Sequence, residues 1–116
     1  MAKIYSVNGN ESILIGTMDD SGYVYDVLPD ENCVGVVDEY GAVYDGPFVG
    51  ELVGLVGSHG EVFDEEGGFP HVGRTDANGN VYDSIDGDHV VGRVEGEPKY
   101  YAGAALLLLR DKLVSQ

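Results

Sequence analysis

Positive charge is what this chain has least of. Six Lys and Arg stand against 21 Asp and Glu in 116 residues, a formal net charge of −15. Such a surface repels nucleic-acid phosphates and anionic lipid headgroups, which sets nucleic acid and membrane aside as partners. A basic partner or cations remain as its complement. Cysteine is nearly missing as well. Cys33 stands alone, so no intrachain disulfide exists, as expected in a reducing compartment. The longest apolar run, Tyr100 to Leu109, is ten residues, about half of what a helix needs to cross a bilayer. The first residues, Met1-Ala2-Lys3-Ile4-Tyr5, lack the apolar centre of a signal peptide. Together these absences predict a cytoplasmic protein. Helix is scarce too: no stretch before residue 100 runs ten residues without Gly or Pro at helical periodicity.

What the chain does have is repetition. Gly22-Tyr23-Val24-Tyr25-Asp26 returns as Gly41-Ala42-Val43-Tyr44-Asp45, Gly60-Glu61-Val62-Phe63-Asp64 and Gly79-Asn80-Val81-Tyr82-Asp83, a step of 19 residues each time. Ile15-Gly16, Val34-Gly35, Val53-Gly54, Val72-Gly73 and Val91-Gly92 keep the same step. A fixed period of this length marks a repeat architecture, in which no single copy can bury its own apolar face. Residues 3 to 17 read as a divergent first copy with one residue inserted at Asn8-Gly9-Asn10. β-branched and aromatic residues fill both phrases, and turn residues bound them, so each copy predicts two short strands.

Two kinds of connection alternate. Asp19-Asp20-Ser21-Gly22, Asp38-Glu39-Tyr40-Gly41 and Asp76-Ala77-Asn78-Gly79 read Asp-x-x-Gly. The Asp carboxylate accepts backbone N–H groups, and the Gly takes the left-handed conformation that returns the chain. Gly57-Ser58-His59-Gly60 lacks the Asp and predicts a weaker version. The other connections, at 27–32, 46–51, 65–70 and 84–89, vary in sequence, and variable loops are where binding is expected. A four-residue turn at 38–41 would place Gly35 opposite Tyr44, so that an aromatic ring covers a bare glycine in every copy. A three-residue turn would place Val36 opposite Tyr44 instead.

Apolar residues on both faces of such short strands suggest hairpins gathered round a common axis. The expected fold is one all-β domain. Residues 3–101 form a pseudo-symmetric, flower-like ring of short antiparallel β-hairpins with a 19-residue repeat, and residues 102–114 form one C-terminal α-helix. Tyr100 and Tyr101 fall one period after Val81 and Tyr82, and a strand there could close the ring with the N-terminal strand. Leu106, Leu109 and Leu113 share one helix face. So apolar a helix either plugs the ring or pairs with another subunit.

The pattern of Ile4-Tyr5, Asn8-Gly9, Ile15-Gly16 and Val24-Tyr25-Asp26, with its later copies, resembles bacterial proteins that carry a four-fold β-flower domain. The similarity covers residues 3 to about 101. It implies hairpins set as petals about a pseudo-symmetry axis, and it implies no activity. The five Val-Gly phrases of this chain exceed a count of four. The stretch Asp86 to Gly96 also resembles repeats in fungal domains of unknown function.

The sequence holds no catalytic signature. Its serines sit in no Gly-x-Ser-x-Gly elbow, and Gly67-Gly68 is followed by no Gly-Lys-Ser/Thr. His59, His71 and His89 match no zinc spacing. The acidic pairs Asp86/Asp88 and Glu65/Glu66 are what an acidic chain supplies freely. Arg74 and Arg93 share one repeat position and predict pairing with nearby carboxylates. Asp26, Asp45, Asp64 and Asp83 occur once per copy and either cap turns or form a carboxylate ring for a cation such as Ca²⁺. The expectation is a non-catalytic binding or scaffold module without a cofactor. Its surface would be the variable loops, with Phe48, Phe69 and Ile85, or the helix face with Leu106, Leu109 and Leu113, where a protein partner or a second copy would pack. The alternatives are a Ca²⁺-binding repeat protein and an acidic decoy for a basic or DNA-binding protein.

Overall fold

The computed structural model describes residues 1–27, 32–46 and 50–113, without the side chains of 111 and 112. The strands follow the phrases: β1 (Ala2–Asn8), β2 (Glu11–Met18), β3 (Tyr23–Asp26), β4 (Cys33–Val37), β5 (Ala42–Asp45), β6 (Glu51–Val56), β7 (Glu61–Asp64), β8 (His71–Thr75), β9 (Asn80–Tyr82) and β10 (Val90–Gly96). Each pairs antiparallel with its neighbours in sequence, and β1 pairs with β10, which closes the barrel. Helix α1 (Lys99–Leu108) and a short turn of helix, α2 (Arg110–Leu113), follow. The ring is therefore closed by β10 rather than by Tyr100 and Tyr101, which lie in the first turn of α1; the helix starts at Lys99, three residues before the expected start.

The register departs from the aromatic-over-glycine expectation. Val36 faces Tyr44 and Val37 faces Val43; Leu55 faces Phe63 and Arg74 faces Tyr82. The reason lies in the turn. Gly41 has φ of 85°, its N–H donates to the Asp38 carbonyl at 3.1 Å, and the Asp38 N–H donates to the Ala42 carbonyl at 3.0 Å. Glycine and Ala42 together oppose Asp38, a three-residue loop with a glycine bulge, which shifts the pairing by one. Tyr25, Tyr44, Phe63 and Tyr82 thus alternate with fully buried Val24, Val43, Val62 and Val81 and stand half-buried on the outer face.

The Val-Gly phrase is a second bulge. Val24 pairs with Gly35 but Tyr25 pairs with Cys33, so Val34 is the extra residue. Ile15, Val53, Val72 and Val91 are the extra residues in β2, β6, β8 and β10. Bulges bend a strand and re-aim side chains, and these residues pack against the core. This is why the short strands look apolar on both faces.

The glycines of the phrase serve the helix. A methyl group on Gly16 would fall 2.7 Å from Leu113 Cδ2, and one on Gly73 would fall 2.8 Å from Leu107 Cδ1, both closer than carbon atoms approach. Gly35 meets Leu109, Gly54 meets Leu108 and Gly92 meets Leu106 in the same way. Successive residues of a helix turn by about 100°, so Leu106 to Leu109 reach β10, β8, β6 and β4 in order. The helix fills the barrel, packing against β1, β4 to β8 and β10, with α2 against β3.

Candidate functional site

An up-and-down barrel has two ends, and here they differ. The Asp-x-x-Gly turns lie at one end with the chain's first residue and the start of α1. The variable connections lie at the other, where α1 finishes.

At the turn end the aspartates organise the backbone. Asp38 Oδ1 accepts the N–H groups of Tyr40 and Ala42, each at 2.9 Å. Asp19 and Asp76 repeat the pattern. The second carboxylate oxygen reaches the tyrosine six residues on, best in Asp76, where the Tyr82 hydroxyl donates at 2.9 Å. Burial would raise the Asp76 carboxyl, but the donors on Asn80, Tyr82 and Asn78 together outweigh it and hold it below the ordinary value. The same bond to Asp76, with burial behind it, pushes the Tyr82 phenol up. The turn without an Asp is repaired from the far side: Glu61 Oε1 accepts the His59 N–H at 3.0 Å. That turn thus keeps a carboxylate, but one that accepts a single turn N–H where each aspartate accepts two, a weaker version as expected.

The turns are tied to one another and to the helix. The Val56 N–H donates to the Gly41 carbonyl at 2.8 Å, and Val37, Thr75 and Val94 do likewise toward Gly22, Gly60 and Gly79. Lys99 Nζ donates to the Ala77 carbonyl at 2.7 Å, and the Tyr101 hydroxyl to the Glu39 carbonyl at 3.2 Å. The ion pairs found among the described residues also lie on this half: Met1 amino–Asp20, Arg93–Glu95 and Lys99–Glu97, with His59–Glu61 a further pair only when the imidazole is protonated.

The loop end is held differently. Asp26, Asp45 and Asp64 each cap their own connection, accepting the N–H of Asn32, Glu51 and Glu66 at 2.9 Å. With Asp83 they stand on separate strand ends around the rim, and among the described residues no group of three or more His, Cys, Asp or Glu converges as metal ligands would. Arg93 pairs with Glu95 as expected. Arg74 does not seek a carboxylate. Its guanidinium lies 3.9 Å from the Tyr82 ring centroid and donates to the carbonyls of Ser84 at 3.1 Å and Gly87 at 3.0 Å, which fixes the loop 83–89.

The apolar candidates separate. Leu106, Leu109 and Leu113 are 1%, 2% and 2% exposed. They face the barrel glycines, so this helix face offers no surface to a partner. Phe69 and Ile85 are exposed on adjacent loops; Phe69 holds φ of 63°, rare for a residue with a side chain. Phe48 lies outside the described residues. Ile13 and Leu14, at the same end, are exposed as well; the only hint in the sequence is that the apolar run Ile13-Leu14-Ile15 starts earlier than in other copies. Beneath the β7–β8 loop a cleft of about 320 Å³ has Val53, Leu107 and Leu108 among its walls and Asp64, Glu66 and Arg110 at its mouth.

No family model matches the chain, and no curated protein or solved structure matches it. No helix among the described residues is long and apolar enough to cross a membrane.

Proposed function

We propose that this protein is a non-catalytic binding module of the cytoplasm, a ring of five two-stranded copies that closes around its own C-terminal helix and presents the loops of one end. One observation carries the reading. The recurring residues have internal partners: the phrase glycines seat leucines, the turn aspartates hold backbone N–H groups, and the valines form the core. Among the described residues, four of the six exposed large apolar side chains stand at the loop end instead, Phe69 and Ile85 on variable loops and Ile13 and Leu14 near the start of β2. Apolar groups left in water on variable loops are a feature of recognition surfaces. The resemblance to β-flower proteins supports the ring of repeated hairpins and adds no chemistry.

The test is to compare what the full chain captures from cells with what two variants capture. Phe69→Ser/Ile85→Ser is expected to lose the partner with an unchanged melting midpoint, and Tyr40→Ser, at the turn end, to keep it. Equal capture by both variants would refute the reading. Melting in EDTA and in Ca²⁺ separates the cation alternative: the midpoint is expected to be the same in both, and a rise with Ca²⁺ would transfer the function to Asp26, Asp45, Asp64 and Asp83.

A further inference from the structure

We infer that the loop-end sector formed by the β7–β8, β9–β10 and β1–β2 connections docks a polypeptide segment whose apolar side chains are flanked by lysine or arginine. The inference rests on the binding-module reading and names the partner and the place. The three connections are consecutive around the closed rim, since β10 pairs with both β9 and β1. Phe69 and Ile85 in their loops, and Ile13 near the start of β2, therefore place exposed apolar side chains along one arc of the rim. The cleft beside the β7–β8 loop has Val53, Leu107 and Leu108 at its apolar side and Asp64, Glu66 and Arg110 at its polar side, and at about 320 Å³ it is wide enough for a large aliphatic side chain.

Charge complementarity selects the occupant. Asp64 and Glu66 line the cleft beside one cation, Arg110. Glu65 stands between them in the chain, Asp83, Asp86 and Asp88 lie on either side of Ile85, and Glu11 lies beyond, so seven carboxylates outnumber the one cation of the cleft. Among the described residues none of these seven takes part in an ion pair, whereas the turn half pairs the Met1 amino group, Arg93 and Lys99 with its own carboxylates. Arg74, the nearest cation to the β9–β10 loop, is spent on the carbonyls of Ser84 and Gly87. An apolar segment with carboxylates would be repelled here. One with cations would set its apolar groups in the arc and neutralise the rim. The Arg74 clamp holds the backbone on either side of Ile85 before binding, which lowers the ordering cost.

The test uses three labelled synthetic peptides of equal length and fluorescence anisotropy: one of alternating Leu and Lys, one with Ser in place of Leu, and one with Glu in place of Lys. The Leu/Lys peptide is expected to bind at least about tenfold more tightly than the other two and to weaken by about tenfold between roughly 50 mM and 500 mM salt. Phe69→Ser/Ile85→Ser should weaken it at least about fivefold, Glu65→Gln/Glu66→Gln should flatten the salt dependence, and Tyr40→Ser should do neither. Equal binding of the Ser/Lys peptide would reduce the effect to bulk charge and overturn the inference, as would no binding of Leu/Lys. If Leu/Lys fails but Phe69→Ser/Ile85→Ser still loses a partner captured from cells, the partner chemistry is wrong and the module reading survives. If those substitutions change neither, both are wrong.

Discussion

The turn at 76–79 and the loop at 83–89 lie on either side of the short strand β9; the turn holds one aspartate, Asp76, and the loop holds Asp83, Asp86 and Asp88. Asp76 takes the N–H groups of Asn78 and Asn80 and the Tyr82 hydroxyl, and its charge is spent inside the fold. Asp86 and Asp88 are exposed, and their loop is positioned by an arginine from β8 instead. The difference shows how one chain of net charge −15 sorts its carboxylates. Where the sequence recurs, they replace missing backbone acceptors. Where it varies, they face solvent and act at a distance.

Substitutions can break this contrast or sharpen it. The largest effect is expected where both ends depend on one contact. Gly54→Val would drive a methyl into the Phe63 carbonyl and Leu108, costing about 3 kcal/mol or more; loss of a cooperative thermal transition would be the sign. Asp76→Ala removes a cap with four acceptor contacts and should cost about 1–3 kcal/mol in chemical denaturation. The pH dependence has a definite sign. Because folding lowers the Asp76 carboxyl below its ordinary 3.8, its contribution is complete above that value and is lost as pH falls through the lower folded value. Acid titration of stability should therefore be less steep in Asp76→Asn. At the loop end, Phe69→Gly should stabilise by about 0.5–1 kcal/mol, since glycine accepts the left-handed backbone freely. Ile85→Ser should stay within about 0.5 kcal/mol of the parent. A large loss at Ile85 would erase the distinction between the ends.

Much of the architecture was legible. The Asp-x-x-Gly signal, the short strands and the C-terminal helix follow from local chemistry, and local chemistry is what a linear pattern records. The register was not. Whether Gly41 ends a four-residue turn or makes a bulge after a three-residue loop depends on one backbone angle, and both fit the same letters. The partner of Gly35 was missed for a second reason. A strand glycine can be covered by the neighbouring strand or by something remote, and Leu109 is 74 residues away in the chain. Four consecutive leucines read as a broad apolar stripe until a closed wall surrounds them. Phe69 and Ile85 were visible as apolar residues in polar loops, whereas Ile13 and Leu14 were hidden within an ordinary-looking strand. Arg74 looked like half of an ion pair because nothing in its surroundings in sequence announces two loop carbonyls.

The seating of Leu106 to Leu109 and Leu113 on five glycines also counts. Each leucine answers to one copy, so a chain with a hairpin deleted would have a leucine without a notch, and a chain with one added would have a notch left empty. A single residue inserted after Ala105 would rotate the whole set by about 100° and offer each side chain to the wrong strand. The tail is in this sense the gauge of the barrel, and the number of repeats can change only if the tail is rewritten with it.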